Sequence, residues 1–66
     1  MRYEFLLSLR LSGTALAAFP ELTTAPGPTG GTALWGPVLD DVHLAELLAR
    51  FAVLGLRVVE MRQLPD

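Results

Sequence analysis

His43 is the only histidine in this 66-residue chain, which contains no cysteine. Nucleophilic catalysis would need a serine or cysteine placed to exchange a proton with it, and a metal centre would need further ligands at defined spacing. Nothing in the sequence pairs His43 with either kind of partner. We therefore interpret it as a solvated residue in the first turn of a helix, and the sequence predicts no catalytic residue, no cofactor and no metal site.

The charged residues nearest to His43 are explained by helix formation. Asp40 can accept hydrogen bonds from the first free N–H groups of a helix, and Asp41 favours the positive end of the helix dipole. Glu46 and Arg50 form an i,i+4 pair in the favourable orientation, which contributes about 0.3 to 0.5 kcal/mol on a solvated face. None of the three carboxylates needs an acid–base role.

Two further patterns suggest binding sites but have simpler explanations. Four charged residues would line a pocket if they shared one sheet face: Glu4, Arg10, Glu60 and Arg62. Such a set more often forms a cross-strand ladder that keeps a sheet soluble or fixes the register of a dimer. The glycine-rich segment 26–31 lacks the lysine and the following helix of a phosphate-binding loop, and a strand pattern follows it instead. It therefore predicts a hairpin turn.

The composition predicts one small domain with a small core. Hydrophobic residues make up 52% of the sequence and charged residues only 18%, so we expect some apolar surface to stay outside the core of a monomer. Chains of this length usually need a disulfide, a bound metal or a second subunit for stability. With no cysteine and one histidine, oligomerisation is the remaining common route.

The charge balance argues against nucleic acid and membranes as partners. The net charge is −2 and the isoelectric point is near 5.1, which provides no basic surface for RNA, DNA or anionic lipid. The N-terminal apolar run contains Glu4 and Arg10, unlike a secretion signal. No run approaches the ~20 apolar residues of a membrane span. We expect a cytoplasmic protein.

The segment from Asp40 to Gly55 is the clearest helix in the sequence. Five apolar residues recur along it at helical spacing: Leu44, Leu47, Leu48, Phe51 and Leu54. Gly55 suits the left-handed residue that closes a helix. A second helix of at most two turns is predicted over residues 14–19, which carry two apolar residues spaced to reach the same core and which end at Pro20.

Strand patterns fill the rest of the chain. Alternation over residues 2–11 places five apolar side chains on one face, and residues 21–25, 32–36 and 56–64 supply three more strands. This order predicts an α+β fold of the ferredoxin-like βαββαβ kind, in which one short and one long helix cover one face of a four-stranded antiparallel sheet. A single domain would span residues 1–66. The first and third strands would be central, with the fourth antiparallel to the first.

The register of the first and last strands can be predicted from charge, because opposite charges across a strand pair are favourable. The register that pairs them places these residues opposite one another: Phe5 and Met61, Leu7 and Val59, Glu4 and Arg62, Leu6 and Glu60, Ser8 and Val58. A slip by two residues would set Glu4 against Glu60. The facing of residues 56–64 stays open, because apolar residues occur on both of their faces.

Three stretches carry a family resemblance: residues 16–22, the Thr-x-Leu-x-Gly strand at 32–36, and residues 47–50 followed by 54–56 and 59–62. In these stretches, and over most of its length, the chain resembles a group of short, uncharacterised proteins common in actinobacteria. The resemblance implies the fold and a cytoplasmic setting, and it implies no activity or site residue. The chain departs from the group at Trp35, where a polar residue would be expected.

Trp35 indicates the candidate interface. If Thr32 and Leu34 face the helix, Trp35 lies near the middle of the uncovered sheet face. The candidate interface residues there are Leu6, Ala33, Trp35 and Val58. An exposed tryptophan in an apolar patch usually marks an interface, and sheet-to-sheet homodimerisation would bury it. Burial of Trp35 in the monomer core and a platform for a small ligand are the alternatives.

These patterns favour a small non-catalytic interaction or accessory module that acts as a homodimer, or with an unidentified protein partner, through this face. The alternative is a ligand-sensing domain of the ACT kind, which binds a small metabolite at a dimer interface. An enzyme of the small dimeric α+β-barrel kind is disfavoured, because the chain is short and offers no clustered polar triad. The RNA-recognition module has the same topology but needs aromatics on both central strands and basic surroundings. In this chain only Trp35 fits and the net charge is negative, so RNA recognition is disfavoured as well.

Overall fold

The computed structural model describes residues 1–66. Its elements follow in the order β1 Arg2–Leu7, α1 Gly13–Leu16, β2 Thr23–Pro26, β3 Thr32–Pro37, α2 Asp41–Val53 and β4 Val58–Leu64. The strands form one antiparallel sheet in the order β2-β3-β1-β4, so β1 and β3 are central and β4 pairs with β1, as predicted. An α+β fold with two helices and a four-stranded antiparallel sheet is thereby confirmed. Neither helix has the length and hydrophobicity that crossing a membrane requires.

The helices cover one face of the sheet, and three aromatic rings join the layers. Leu47 and Phe51 of α2 are buried in the same cluster as Phe5 of β1 and Leu34 of β3. Phe19, which follows α1, stacks on Phe51 with ring centroids 4.4 Å apart, and Phe5 contacts Phe51 at 5.2 Å. Offset aromatic pairs of this kind add to the apolar burial itself. The core therefore ties the sheet, the α1 segment and α2 together.

The ends of α2 form as the sequence predicts. Asp40 Oδ1 accepts a hydrogen bond from the His43 N–H at 2.8 Å, and Gly55 adopts a φ of 72° just past the last turn. The Gly55 N–H donates to the Ala52 carbonyl and the Leu56 N–H to the Phe51 carbonyl. This pair of bonds is a Schellman motif, which satisfies the carbonyls left free at a helix C-terminus.

Two residues of the predicted apolar stripe of α2 lie outside the core. Leu48 and Leu54 are exposed, whereas Leu47 and Phe51 are fully buried and Leu44 packs against the core cluster. Each residue is turned by about 100° from the one before it along a helix. The sheet covers only the arc that Leu44, Leu47 and Phe51 share, so the prediction that all five leucine and phenylalanine residues form the core face was wrong.

β1 ends at Leu7, four residues earlier than predicted. Its last partner on β3 is Thr32, and beyond that pair the chain leaves the sheet. The Thr32 hydroxyl then donates to the Leu9 carbonyl at 2.8 Å and accepts from the Leu11 N–H at 3.1 Å. These side-chain bonds replace the strand ladder, so Leu9 becomes 59% exposed while Leu11 still packs against the core.

The other elements shift by a few residues from their predicted bounds. α1 is shorter than residues 14–19, and its cap is Ser12, whose hydroxyl accepts from the Ala15 N–H at 3.2 Å. Phe19 reaches the core from the turn that follows. β2 starts two residues later than predicted, because the Leu22 N–H is used in a turn with the Phe19 carbonyl. The hairpin predicted for residues 26–31 joins β2 to β3.

A β-bulge in β4 changes the face of one predicted interface residue. Three predicted pairs are present: Glu4 with Arg62, Phe5 with Met61, and Leu6 with Glu60. Leu7, however, lies opposite Val58, and the register shifts between Leu6 and Leu7, which leaves Val59 as the extra residue. The predicted pairs Leu7–Val59 and Ser8–Val58 were wrong. Val58 packs against the helix-side core, while Val59 is 57% exposed. An inserted residue reverses the facing of the strand beyond it.

Candidate functional site

Four polar side chains meet beside the first three turns of α2, and we call them the Arg50 cluster: Glu21, His43, Glu46 and Arg50. The three α2 members are spaced by three and four residues, which places them on one side of the helix. Glu21 comes from the turn before β2. The cluster therefore joins two parts of the chain that are distant in sequence.

Arg50 is the centre of this cluster. Its Nη1 donates to Glu21 Oε1 at 2.9 Å and to the Ala18 carbonyl at 2.8 Å, and its Nη2 donates to Glu21 Oε2 at 3.1 Å. The same Nη2 donates to Glu46 Oε2 at 2.7 Å, and the guanidinium lies 5.3 Å from the centre of the Phe19 ring. The sequence predicted only the pair with Glu46 on a solvated face. The structure adds the more extensive contact with Glu21.

These contacts set the charge state of the cluster. The hydrogen bonds that the Arg50 guanidinium donates lower the pKa of the Glu21 carboxyl from 4.5 to about 2. The same bonds, first with Glu21 and then with Glu46, raise the pKa of Arg50 above its ordinary value. A carboxylate so strongly held in its ionised form is a poor proton donor or acceptor near neutral pH. Glu21 is therefore unsuited to general acid–base catalysis.

The cluster also has two features that work against metal binding. Ligand atoms of Glu21, His43 and Glu46 lie within 4.8 Å of one another, as a metal site requires. The Arg50 guanidinium, however, is bonded to both carboxylates, and a cation would have to displace it. The His43 Nδ1 accepts the Leu39 N–H at 3.0 Å, so in the neutral ring the proton is on Nε2, the nitrogen 3.5 Å from Glu21. The geometry supports a structural ion-pair cluster.

The sheet face away from the helices, which we call the open face, presents two rows of side chains that cross all four strands, and a third row at one end that holds Arg2, Pro37 and Leu64. The first row runs across the strands as Thr23, Trp35, Glu4 and Arg62, and the second as Ala25, Ala33, Leu6 and Glu60. Three of the four candidate interface residues lie here: Leu6, Ala33 and Trp35. Val58 does not, because the bulge turns it towards the core, and Val59 is the exposed valine of that segment.

The middle of the open face is apolar and well packed. Trp35 lies on β3 between Thr23 of β2 and Glu4 of β1, and it is half-buried rather than part of the core cluster. Ala33 is only 6% exposed, although no helix covers it, and the neighbouring Leu6 is half-buried. The larger side chains around Ala33 therefore cover most of it.

The charges of the open face are concentrated on its β4 side. The Arg62 Nε donates to Glu4 Oε1 at 2.7 Å, which confirms the predicted pairing of opposite charges in this register. Glu60 forms no salt bridge within the chain. Arg10 does not join this group, because β1 has already ended; it borders a separate, open depression of about 390 Å³ beside the β2–β3 hairpin.

Sequence reasoning missed the Glu21–Arg50 contact and the facing of Val58 and Val59. The first has no signal in sequence spacing, because 29 residues separate the two partners. The second had a partial signal, since two adjacent valines leave the alternation of the strand undefined.

The sequence of residues 2–62 matches the sequence model of one protein family, whose description is "Domain of unknown function (DUF8691)". No curated protein and no solved structure gives a significant match to the chain. The family match covers nearly all of the residues in the fold just described. Its description assigns no activity, ligand or partner.

Proposed function

We propose that this chain, which belongs to the family described as Domain of unknown function (DUF8691), is a small non-catalytic interaction module that acts as a homodimer through its open face. The observation that carries the proposal is the largely apolar centre of that face, where Leu6, Ala33 and Trp35 lie beside Glu4 on the two central strands with no helix over them. Apolar patches of this kind, rimmed by charges, are typical of protein interfaces.

The arrangement of the two rows suits a second copy of the chain. A two-fold axis that runs across the strands, midway between the rows, exchanges the rows of the two subunits. Trp35 would then lie over Ala33 of the partner subunit, so that the largest side chain meets the smallest. Arg62 would lie over Glu60 of the partner subunit, the carboxylate that has no partner within its own chain. The contact of Trp35 with Ala33 is thus complementary in size and that of Arg62 with Glu60 in charge, while Glu4, whose charge Arg62 already balances, would lie over Leu6 of the partner subunit.

The size of the face sets the expected strength of the dimer. Four strands about 4.8 Å apart and about six residues long make a face of about 20 by 20 Å. This plan area of roughly 400 Å² is below the ~800 Å² per partner of a standard stable interface. We therefore expect a reversible dimer rather than a permanent one.

The interior of the monomer supports a non-catalytic role. An enzyme of the small α+β-barrel kind would need a pocket between sheet and helices. In this chain the rings of Phe5, Phe19 and Phe51 fill the space between the sheet and α2. The open depression beside the hairpin, which lies between α1 and the sheet, is lined by no histidine, carboxylate or cysteine. The carboxylates of Glu21 and Glu46 are committed to ion pairs with Arg50, so neither offers a free acid or base.

Trp35 is the only tryptophan in the chain, so its fluorescence reports on the open face directly. Raising the concentration from about 1 to 200 μM should shift its emission to shorter wavelength and protect it from acrylamide, because dimerisation removes water from the indole. In analytical ultracentrifugation, Trp35→Arg should lower the average mass at a given concentration, and the matched control Leu9→Arg should not. An emission spectrum that is constant over this range would refute the proposal.

We also propose a fold class, a cellular location and a source for this chain. We place the fold in the ferredoxin-like class, and the strand order β2-β3-β1-β4 with both helices over one face supports that assignment. We retain the cytoplasm as the expected location and an actinobacterium as the expected source, on the sequence patterns described above. Cell fractionation with an antibody against the chain tests the location.

A further inference from the structure

The side of α2 that faces away from the core is apolar. Five exposed residues form this outer α2 face: Val42, Ala45, Ala49, Ala52 and Val53. At about 100° per residue they fall within an arc of roughly 100°, on the side of the helix opposite Leu47 and Phe51. Val42 is 78% exposed and Val53 is 85% exposed. A helix on a protein surface normally presents charged and polar residues on this side.

None of the five residues of the outer α2 face is charged or polar, so none of them forms a favourable side-chain interaction with water. The nearest charged side chain along the helix is Glu46, and its carboxylate is held by Arg50 at the edge of the face. The flanking charges at the start of α2 are Asp40 and Asp41, and no lysine occurs in the chain. An acidic border of this kind disfavours an anionic membrane surface, which binds helices with basic flanks.

The two valines lie at opposite ends of the outer α2 face. Val42 and Val53 are eleven residues apart, which is about three turns and about 16.5 Å, and alanines lie between them. A two-fold axis near Leu47 in an antiparallel pair of helices would set Val42 against Val53 of the partner subunit. The alanines in the middle would let the two backbones approach closely. We infer that the outer α2 face is a second self-association surface, which packs antiparallel against the same helix of another copy.

Charges at the two ends support the antiparallel arrangement. Asp41 lies in the first turn of α2, Arg57 lies two residues beyond Gly55, and neither forms a salt bridge within the chain. An antiparallel pair brings Asp41 to the end of the partner helix that leads into Arg57 of the partner subunit. The helix dipoles also oppose each other in this arrangement. A parallel pair would instead place like charges and like dipole ends together.

This surface does not depend on the open face, because it lies on the other side of the molecule, beyond the core. Either surface alone produces a two-fold dimer. Together, two different two-fold contacts allow assemblies larger than a dimer. Trp35→Arg should therefore leave the helix contact intact.

Disulfide cross-linking tests the helix contact and its register, and the chain contains no cysteine to interfere. Val42→Cys/Val53→Cys, made together with Trp35→Arg, should form a covalent dimer on mild oxidation. Each single cysteine variant should cross-link at least about tenfold less, because an antiparallel pair separates equivalent residues by about 16 Å. Within one chain the two cysteines are equally far apart and cannot bridge. Absence of the covalent dimer, or equal cross-linking of the single variants, would overturn the inference.

Ultracentrifugation of uncross-linked protein provides a second measurement. In the Trp35→Arg background, Val53→Glu should abolish the remaining dimer, whereas Leu9→Glu, an equally exposed apolar position elsewhere, should retain it. Circular dichroism of each variant should match that of the parent protein. A Trp35→Arg protein that is monomeric at 200 μM would contradict the helix contact. Sedimentation of the Trp35→Arg monomer with phosphatidylglycerol vesicles would also contradict it, because the outer α2 face would then bind a membrane instead of a second copy.

Discussion

The Arg50 guanidinium on α2 binds both carboxylate oxygens of Glu21, with Nη1–Oε1 at 2.9 Å and Nη2–Oε2 at 3.1 Å, across 29 residues of sequence. The Ala18 carbonyl accepts a further hydrogen bond from Nη1. Paired bonds of this kind combine charge with fixed geometry, which lysine cannot supply. In a small chain without disulfides, this contact holds the segment between α1 and β2 against α2.

Replacing Arg50 should therefore destabilise the fold. We expect Arg50→Ala to lower the free energy of unfolding by about 1.5 to 3 kcal/mol, because the partly buried Glu21 carboxylate would lose its charged donors. Arg50→Lys should fall between Arg50→Ala and wild type. Arg57→Ala is the matched control, since that arginine makes no ion pair and should change stability by less than about 0.5 kcal/mol. Urea denaturation measures all three, and equal losses in Arg50→Ala and Arg57→Ala would contradict the role given to the contact.

The lowered pKa of Glu21 predicts how stability depends on pH. Its folded-state pKa is about 2, against an ordinary value of 4.5, so the unfolded chain takes up this proton first as the pH falls. The stabilisation is therefore complete above about pH 4.5 and is lost as the pH falls towards 2. The stability advantage of wild type over Glu21→Gln should stay constant between pH 5 and 7 and shrink steadily below pH 4. A stability advantage that is the same at pH 3 and pH 6 would contradict the lowered pKa of Glu21.

Substitution by alanine should change the free energy of unfolding in opposite directions at two glycines, Gly31 and Gly13. A Cβ on Gly31 would lie 1.9 Å from the Leu7 carbonyl oxygen, which is backbone and cannot move away, so Gly31→Ala should cost more than about 2 kcal/mol. A Cβ on Gly13, in α1, would meet nothing within 4 Å, and Gly13→Ala should gain about 0.5 to 1 kcal/mol. Thermal unfolding of both variants checks the pair. Similar melting temperatures for the two would show that the hairpin does not pack against β1 as described.

Several features of the fold were predictable because their signals are local. The Asp40 cap and the Gly55 turn depend on neighbouring backbone groups, and the structure has both where the sequence predicts them. The pairing of Glu4 with Arg62 followed from the alternation of two strands and the attraction of opposite charges. Alternation also favoured an uncovered Trp35, with burial in the core as the alternative, and the structure pairs Trp35 with Glu4 on the open face.

The sequence alone thus determined the order of the elements, the ends of α2 and most of the strand register, since each depends on residues a few positions apart. Only the tertiary structure decided the bulge at Val59, the contact between Glu21 and Arg50, and how much of the predicted apolar stripe of α2 reaches the core. Periodicity identified the side of α2 that packs on the sheet, but it cannot tell how wide an arc of the helix the sheet will cover. That width depends on contacts between distant parts of the chain, which exist only once the sheet and the helix have packed together.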